Sequence, residues 1–90
     1  MNLYAFWKYD LPPFLLGGIV EFINEDGYVK IKDRYDGMRF KPAVLLPLEK
    51  GLALQQKLDE AQTVYEKETK AAKEKLLNVV NGIKQQNITN

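Results

Sequence analysis

Short apolar-rich runs separated by Gly, Pro and Asp residues occupy the first half of the chain, which is the pattern of β-strands. The pattern predicts four short strands, over Leu3–Tyr9, Gly18–Ile23, Tyr28–Arg34 and Met38–Leu46. Nine of the ten aromatic residues lie in this half, so we expect both faces of the first strand to be largely covered.

Turn residues separate the predicted strands. Asp26-Gly27 and Asp36-Gly37 supply the positive-φ positions of tight hairpins, and together they predict a three-stranded meander after the first strand. Gly17-Gly18 is expected to permit the bend or bulge that a small barrel needs at a corner. Pro12-Pro13 is expected to end strand pairing before that bend, because proline has no N–H to donate.

The second half of the chain has the 3.6-residue apolar period of an amphipathic helix. We predict a helix that starts between Leu48 and Leu52, reaches about Ile83 and is followed by a polar tail. The sequence therefore predicts an α+β protein with a small antiparallel β-barrel or curled meander in residues 1–47. One long helix and its tail would occupy residues 48–90.

Three motifs in the β-unit share one pattern of strands and turns. They are Gly17-Gly18-Ile19-Val20, Asp26-Gly27-Tyr28-Val29-Lys30-Ile31 and Gly37-Met38-Arg39-Phe40. Over residues 3–47 this pattern resembles SH3-like small barrels, including the KOW-type variants. Such barrels host peptide-binding, nucleic-acid-binding and structural roles, so the resemblance implies a fold and leaves the function open.

Composition removes several function classes. The chain has 90 residues with no His and no Cys, so common nucleophiles, bases and metal ligands are missing. No pattern places two inward-facing carboxylates together, and we therefore expect neither catalysis nor a cofactor or metal. The net charge of +1 supplies no global attraction to nucleic acid or lipid. The absence of Cys, of a signal peptide and of a long apolar run predicts a cytoplasmic protein without a membrane partner.

An aromatic group near the proline loop is the first candidate site. Trp7, Tyr9 and Tyr35 would line a groove for a partner's peptide, as aromatic residues do on SH3-like domains. The alternative is that these rings form the core of a small barrel, because large rings fill space where few residues are available.

A strand face that interleaves cations with an aromatic ring is the second candidate, a surface for single-stranded nucleic acid. Its residues are Tyr28, Lys30, Lys32, Arg34, Arg39 and Lys41. The alternative, which we favour, is an ordinary solvent-exposed strand face that binds nothing and whose charges are offset by acidic residues in the turns.

A cluster near the end of the helix is the third candidate. It comprises Leu76, Leu77, Val80 and Ile83, which form more than one narrow stripe. The cluster suits self-association into a dimer or higher oligomer. The alternative, almost equally weighted, is a helix that folds back over its own barrel.

These observations favour a non-enzymatic protein–protein interaction module, an adaptor or inhibitor that oligomerises through its helix or binds another protein. The small size and lack of catalytic residues fit an accessory protein of a phage or other mobile element. The alternative prediction is a nucleic-acid-binding barrel that uses the basic strand face.

Overall fold

The computed structural model describes residues 2–67 and 71–86. Its elements are β1 (Leu3–Lys8), β2 (Leu15–Ile23), β3 (Val29–Ile31), β4 (Val44–Pro47), α1 (Leu48–Lys67) and α2 (Ala71–Lys84). The strands form one antiparallel sheet in the order β3-β2-β1-β4. The predicted α+β class is thereby confirmed, although the sheet is not a closed barrel.

Strand β1 lies at the centre of the structure. Tyr4 pairs with Ile19 of β2 on one side and with Leu46 of β4 on the other. The stretch from Tyr4 to Trp7 is buried, so both faces of the strand are covered as predicted. Consecutive apolar residues in a central strand require a packed layer on each face of the sheet.

Two separate cores meet these two faces. The first lies between the sheet and the helices and comprises Tyr4, Phe6, Leu15, Val44, Leu46, Leu58, Ala61, Leu76, Val80 and Ile83. The second lies on the opposite face, inside the curl of the sheet, and comprises Ala5, Trp7, Val20, Val29 and Ile31. Because β1 alternates between the two, it holds the helical layer and the curled strands together.

The β2–β3 hairpin follows the predicted turn chemistry. The Asn24 side-chain oxygen accepts hydrogen bonds from the backbone N–H groups of Asp26 and Tyr28, each at 3.0 Å. Gly27 and Gly37 have φ angles of 84° and 77°, so both glycines adopt the predicted left-handed conformation. That conformation carries no steric cost for glycine.

The predicted strand Met38–Leu46, and with it the meander, is wrong. Only Phe40 bridges to β3, through a reciprocal pair of backbone hydrogen bonds with Val29 of 2.8 and 3.0 Å. Pro42 cannot donate to a ladder, and the chain then crosses to the far edge of β1, where Val44–Pro47 forms β4. The sheet therefore curls toward itself and stays open.

The predicted single long helix is also wrong, because α1 ends at Lys67 and α2 begins at Ala71. The two helices pack against each other, and the apolar stripe of α2 turns into the first core. Residues 68–70 and the tail from 87 onward lie outside the described residues. Neither described helix is long and apolar enough to cross a membrane.

The cluster predicted for oligomerisation lies within this packing. Leu76, Val80 and Ile83 are buried inside a single chain, and Leu77 is half-buried. The fold-back alternative therefore accounts for their spacing. Self-association stays a prediction, and it needs a surface other than these three side chains.

Helix α1 starts directly after β4 and is seated on β1. The N–H of Leu48 donates to the carbonyl of Asn2 at 3.0 Å, which satisfies one of the free donors at the helix start. One turn later, a Cβ on Gly51 would overlap the Cβ, Cγ and Cδ1 atoms of Tyr4. Only a residue without a side chain permits this approach of helix to strand.

We predict that Gly51→Ala lowers the free energy of unfolding by roughly 1–3 kcal/mol, the usual cost of overpacking a core, because the Tyr4 backbone region cannot move aside. The matched control is Gly82→Ala in α2, where an added Cβ meets nothing within 4 Å. There we expect a gain of about 0.5–1 kcal/mol from helix propensity. Urea denaturation of both variants measures the two changes in the free energy of unfolding. Equal changes would refute the close contact of α1 with Tyr4.

Candidate functional site

A cleft of about 550 Å³ opens beside β2, between α1 and the segment that follows β3. Its floor is Leu15–Ile19 of β2. One wall carries Leu52, Gln55 and Asp59 of α1, and the other is formed by Lys32–Tyr35. We call this feature the edge cleft.

The edge cleft exists because β3 is much shorter than β2. Strand β3 has three residues, and its pairing with β2 begins at Val20 and continues toward the hairpin. The last hydrogen bond on this side runs from the N–H of Lys32 to the carbonyl of Ile19 at 2.8 Å. The half of β2 that precedes Ile19 has no strand beside it on that edge.

The direction of the free backbone groups follows from the register. In an antiparallel pair, successive residues direct their N–H and C=O groups to opposite sides of the strand. The Phe14 carbonyl accepts from Tyr9 on the β1 side, whereas that of Ile19 accepts from Lys32 on the opposite side. Leu15 and Gly17 lie four and two residues before Ile19 in the strand, so their N–H and C=O groups point to the same side as those of Ile19. They therefore face the edge cleft.

A short hydrogen-bonded chain forms the α1 wall of the cleft. The Tyr4 hydroxyl donates to Oε1 of Gln55 at 2.7 Å, and Nε2 of Gln55 donates to Oδ1 of Asp59 at 2.9 Å. Gln55 and Asp59 are one helical turn apart, so they present adjacent polar groups on one helix face. The chain ties α1 to β1 within the lining of the cleft.

Tyr4 is neutral at physiological pH. Burial raises the pKa of its hydroxyl to about 12, the negative charge of Asp59 adds to the rise, and Arg34 opposes it. The hydroxyl therefore acts as a hydrogen-bond donor to Gln55 and holds the wall in place. It is unsuited to serve as a base.

Strained backbone shapes the opposite wall. Asp33 and Tyr35 have φ angles of 62° and 55°, in the left-handed region that non-glycine residues seldom adopt. Asp tolerates this region better than most residues, but a bulky ring does not, and such strain is often found at binding sites. These two residues turn the chain away from β2, which ends β3 and leaves the cleft open.

The residues of the predicted aromatic groove do not lie together in the cleft. Trp7 is only 5% exposed and stacks on Phe40, with ring centroids 4.4 Å apart, so the core interpretation holds for it. Tyr35 packs its ring edge-on against Trp7 and lines the edge cleft. Tyr9 is exposed and lies outside the cleft.

The cations predicted for a nucleic-acid surface are divided among three settings. Lys30 forms an ion pair with Glu21 at 2.8 Å. Lys32 and Arg34 line the edge cleft, while Arg39 and Lys41 line a second cavity described below. Tyr28 is exposed at the hairpin. Strand β3 ends before Lys32, so the single strand face on which the prediction relied does not form.

Three residues of the α1 wall were missed by the sequence analysis. Gln55 and Asp59 have i,i+4 spacing beside the apolar stripe, and Leu52 is an exposed apolar residue in the first turns of the helix. The i,i+4 spacing marks a shared helix face, but the sequence does not show which element that face meets.

No known protein family, characterised protein or solved structure matches this chain. The SH3-like resemblance therefore stays a prediction. Within residues 2–67 and 71–86, no group of three or more acidic side chains is arranged to hold a metal ion. The function has to be argued from the edge cleft itself.

The Tyr4 hydroxyl predicts a pH dependence of stability. The unfolded chain loses this proton near pH 10, whereas the folded protein keeps it until about pH 12, so stability falls as pH rises through this window. Tyr4→Phe removes the titrating group while keeping the ring. We expect urea denaturation to show a smaller loss of stability for the variant between about pH 9 and about pH 11. Parallel losses would rule out a buried, neutral Tyr4.

Proposed function

We propose that this protein is a non-enzymatic protein-interaction module that binds an extended segment of another protein along the open edge of β2. The observation that carries the proposal is the pair of residues, Leu15 and Gly17, whose backbone groups face the edge cleft without a strand partner. A peptide that adds a strand to a sheet supplies the complementary N–H and C=O groups.

The two walls of the edge cleft favour one added strand over edge-to-edge pairing of whole sheets. Exposed sheet edges promote aggregation unless they are covered or hindered. Here α1 stands on one side of the edge and the Lys32–Tyr35 segment on the other, so a flat sheet cannot reach it. A single extended chain can enter, and two copies of the recessed edge cannot meet each other.

The binding energy would come from backbone pairing and from apolar contacts. Each backbone hydrogen bond contributes about 1 kcal/mol net, so pairing with Leu15 and Gly17 alone gives weak binding. Leu52 is 46% exposed and Tyr35 is 37% exposed at the two walls. These side chains would be covered by alternate residues of the bound segment, which would give the site its selectivity.

The charges of the cleft favour a segment with little net charge. Lys32 and Arg34 are balanced by Asp33 and Asp59 within the same lining. A highly acidic or basic segment would therefore meet repulsion as well as attraction. The site suits a neutral, extended stretch, which fits an adaptor or an inhibitor that captures one segment of its partner.

The alternative function, binding of single-stranded nucleic acid along a basic strand face, has less support. It requires its cations on one continuous surface. Lys30 is occupied by Glu21, and Lys32 and Arg34 lie beside carboxylates in the edge cleft. Self-association also stays a proposal, which a solution mass above 10.4 kDa would support.

We predict that selection from a displayed library of random linear peptides yields binders that occupy the edge cleft. Leu52→Glu should weaken them roughly tenfold or more, because it places a charge where an apolar side chain would be buried. Met38→Glu is the matched control, since Met38 is similarly exposed, at 51%, and lies outside the cleft. Binding to this control should match the wild type, as measured by isothermal titration calorimetry.

N-methylation of a selected peptide tests the mode of binding. A strand that pairs with β2 uses the N–H groups of every second residue. Methylation of one alternate set should abolish binding, and methylation of the other set should leave it nearly unchanged. Equal affinity of both methylated peptides, or the recovery of no binders, would contradict strand addition.

A further inference from the structure

A second cavity, of about 500 Å³, shares no lining residue with the edge cleft. It lies where the end of β1 meets the segment that leads into β4. The residues relevant to its chemistry are Trp7, Lys8, Arg39, Phe40, Lys41 and Pro42. We call it the basic cavity. It is more open to solvent than the edge cleft, and its volume is large enough for a small molecule.

The charge of the basic cavity has one sign. Three of its lining residues, Lys8, Arg39 and Lys41, are cations, and no acidic residue is among the described residues that line it. Within residues 2–67 and 71–86, none of the three forms an ion pair. This contrasts with Lys30, which has a carboxylate partner, and with the balanced edge cleft.

Arg39 contacts the protein at two points, both just outside the lining of the basic cavity. Its Nη1 donates to the carbonyl of Met38 at 3.1 Å, and its guanidinium lies 5.0 Å from the centre of the Phe22 ring. Contact with an aromatic face stabilises a guanidinium and reduces the freedom that binding would remove. A fixed fork of N–H donors matches the oxygens of a phosphate group.

The wall behind the cations is rigid and aromatic. The Trp7 and Phe40 rings are stacked, with an angle of 17° between their planes. Tyr35 packs edge-on against both rings, at centroid distances of 5.8 and 5.3 Å. Tyr35 supports these rings from outside the cavity, and Trp7 is almost fully buried, so a flat ligand group would contact the half-buried Phe40 and Pro42 while its anionic group met the cations.

We propose that the basic cavity binds the phosphate group of a nucleotide-sized ligand. A phosphate monoester carries up to about two negative charges and three acceptor oxygens. A carboxylate carries one charge and two oxygens, which would leave part of a three-cation site unused. Among the described side chains, the other cations do not line the basic cavity, so the site accommodates one such group and does not follow the backbone of a long strand.

The test uses the intact protein and the fluorescence of Trp7, the single tryptophan of the chain. AMP, adenosine and inorganic phosphate are titrated separately at low salt, with calorimetry as a second readout. We expect saturable binding of AMP, weaker binding of inorganic phosphate and none of adenosine. Arg39→Gln and Lys41→Gln should each weaken AMP roughly tenfold. Lys57→Gln, an exposed cation on α1, is the control and should leave AMP binding unchanged.

The titrations of the variants distinguish binding in the basic cavity from binding elsewhere. Loss of AMP affinity in the cavity variants but not in Lys57→Gln supports the proposal, provided that circular dichroism shows folded proteins. Lys8→Gln is the substitute if either first variant unfolds. Adenosine binding as tightly as AMP, AMP binding unaffected by the cavity variants, or no saturable signal in either readout would overturn it. Much tighter binding of a single-stranded oligonucleotide than of AMP would overturn the assignment to a small ligand.

Discussion

The close contact between Tyr4 and two glycines determines how the layers of this protein fit together. A Cβ on Gly51 of α1 or on Gly17 of β2 would overlap the Tyr4 side chain, so the helix, the central strand and its neighbour meet where two side chains are absent. The hydrogen bond from Tyr4 to Gln55 then fixes the rotation of α1 about its axis. The first core and the α1 wall of the edge cleft both depend on this arrangement.

The sequence carries much of the information about local structure. The apolar run that begins at Leu3 identified β1, and the Asp-Gly pair at Gly27 identified the β2–β3 hairpin, because both signals come from the residues that form the element. The apolar period of the second half also predicted helical structure there, whereas Leu76, Val80 and Ile83, which were expected to serve self-association, are buried within the chain. The signals failed where the structure depends on contacts between distant residues.

The failed predictions are the strand Met38–Leu46, where only Phe40 bridges to β3 and β4 pairs with β1, and the single long helix. The second Asp-Gly pair turns the chain at Gly37, but pairing of the next segment depends on competition between the edge of β3 and the edge of β1. The stripe has the same period in one helix or two, so periodicity alone could not show where α1 ends. For the same reason it could not distinguish an exposed distal cluster from one folded against the core.

The edge cleft could not be predicted from sequence because it results from the difference in length between two strands. Strand β3 stops where Asp33 and Tyr35 adopt positive φ angles. Asp33 is a residue type that tolerates this conformation, but nothing local marks Tyr35. The wall residues Gln55 and Asp59 reach the site only because the Tyr4 contact seats α1 there. The packing of α1 on β1 and the shape of the edge cleft therefore have one origin.

Amide hydrogen exchange along β2 in the free protein tests the central claim, that the edge is open and available. We expect the N–H groups of Leu16 and Gly18, which bond to β1, to exchange slowly, and those of Leu15 and Gly17 to exchange quickly. Protection that alternates in this way would establish an unpaired edge in the cleft. Equal protection of all four amides would show that the edge is already covered, and would contradict the account.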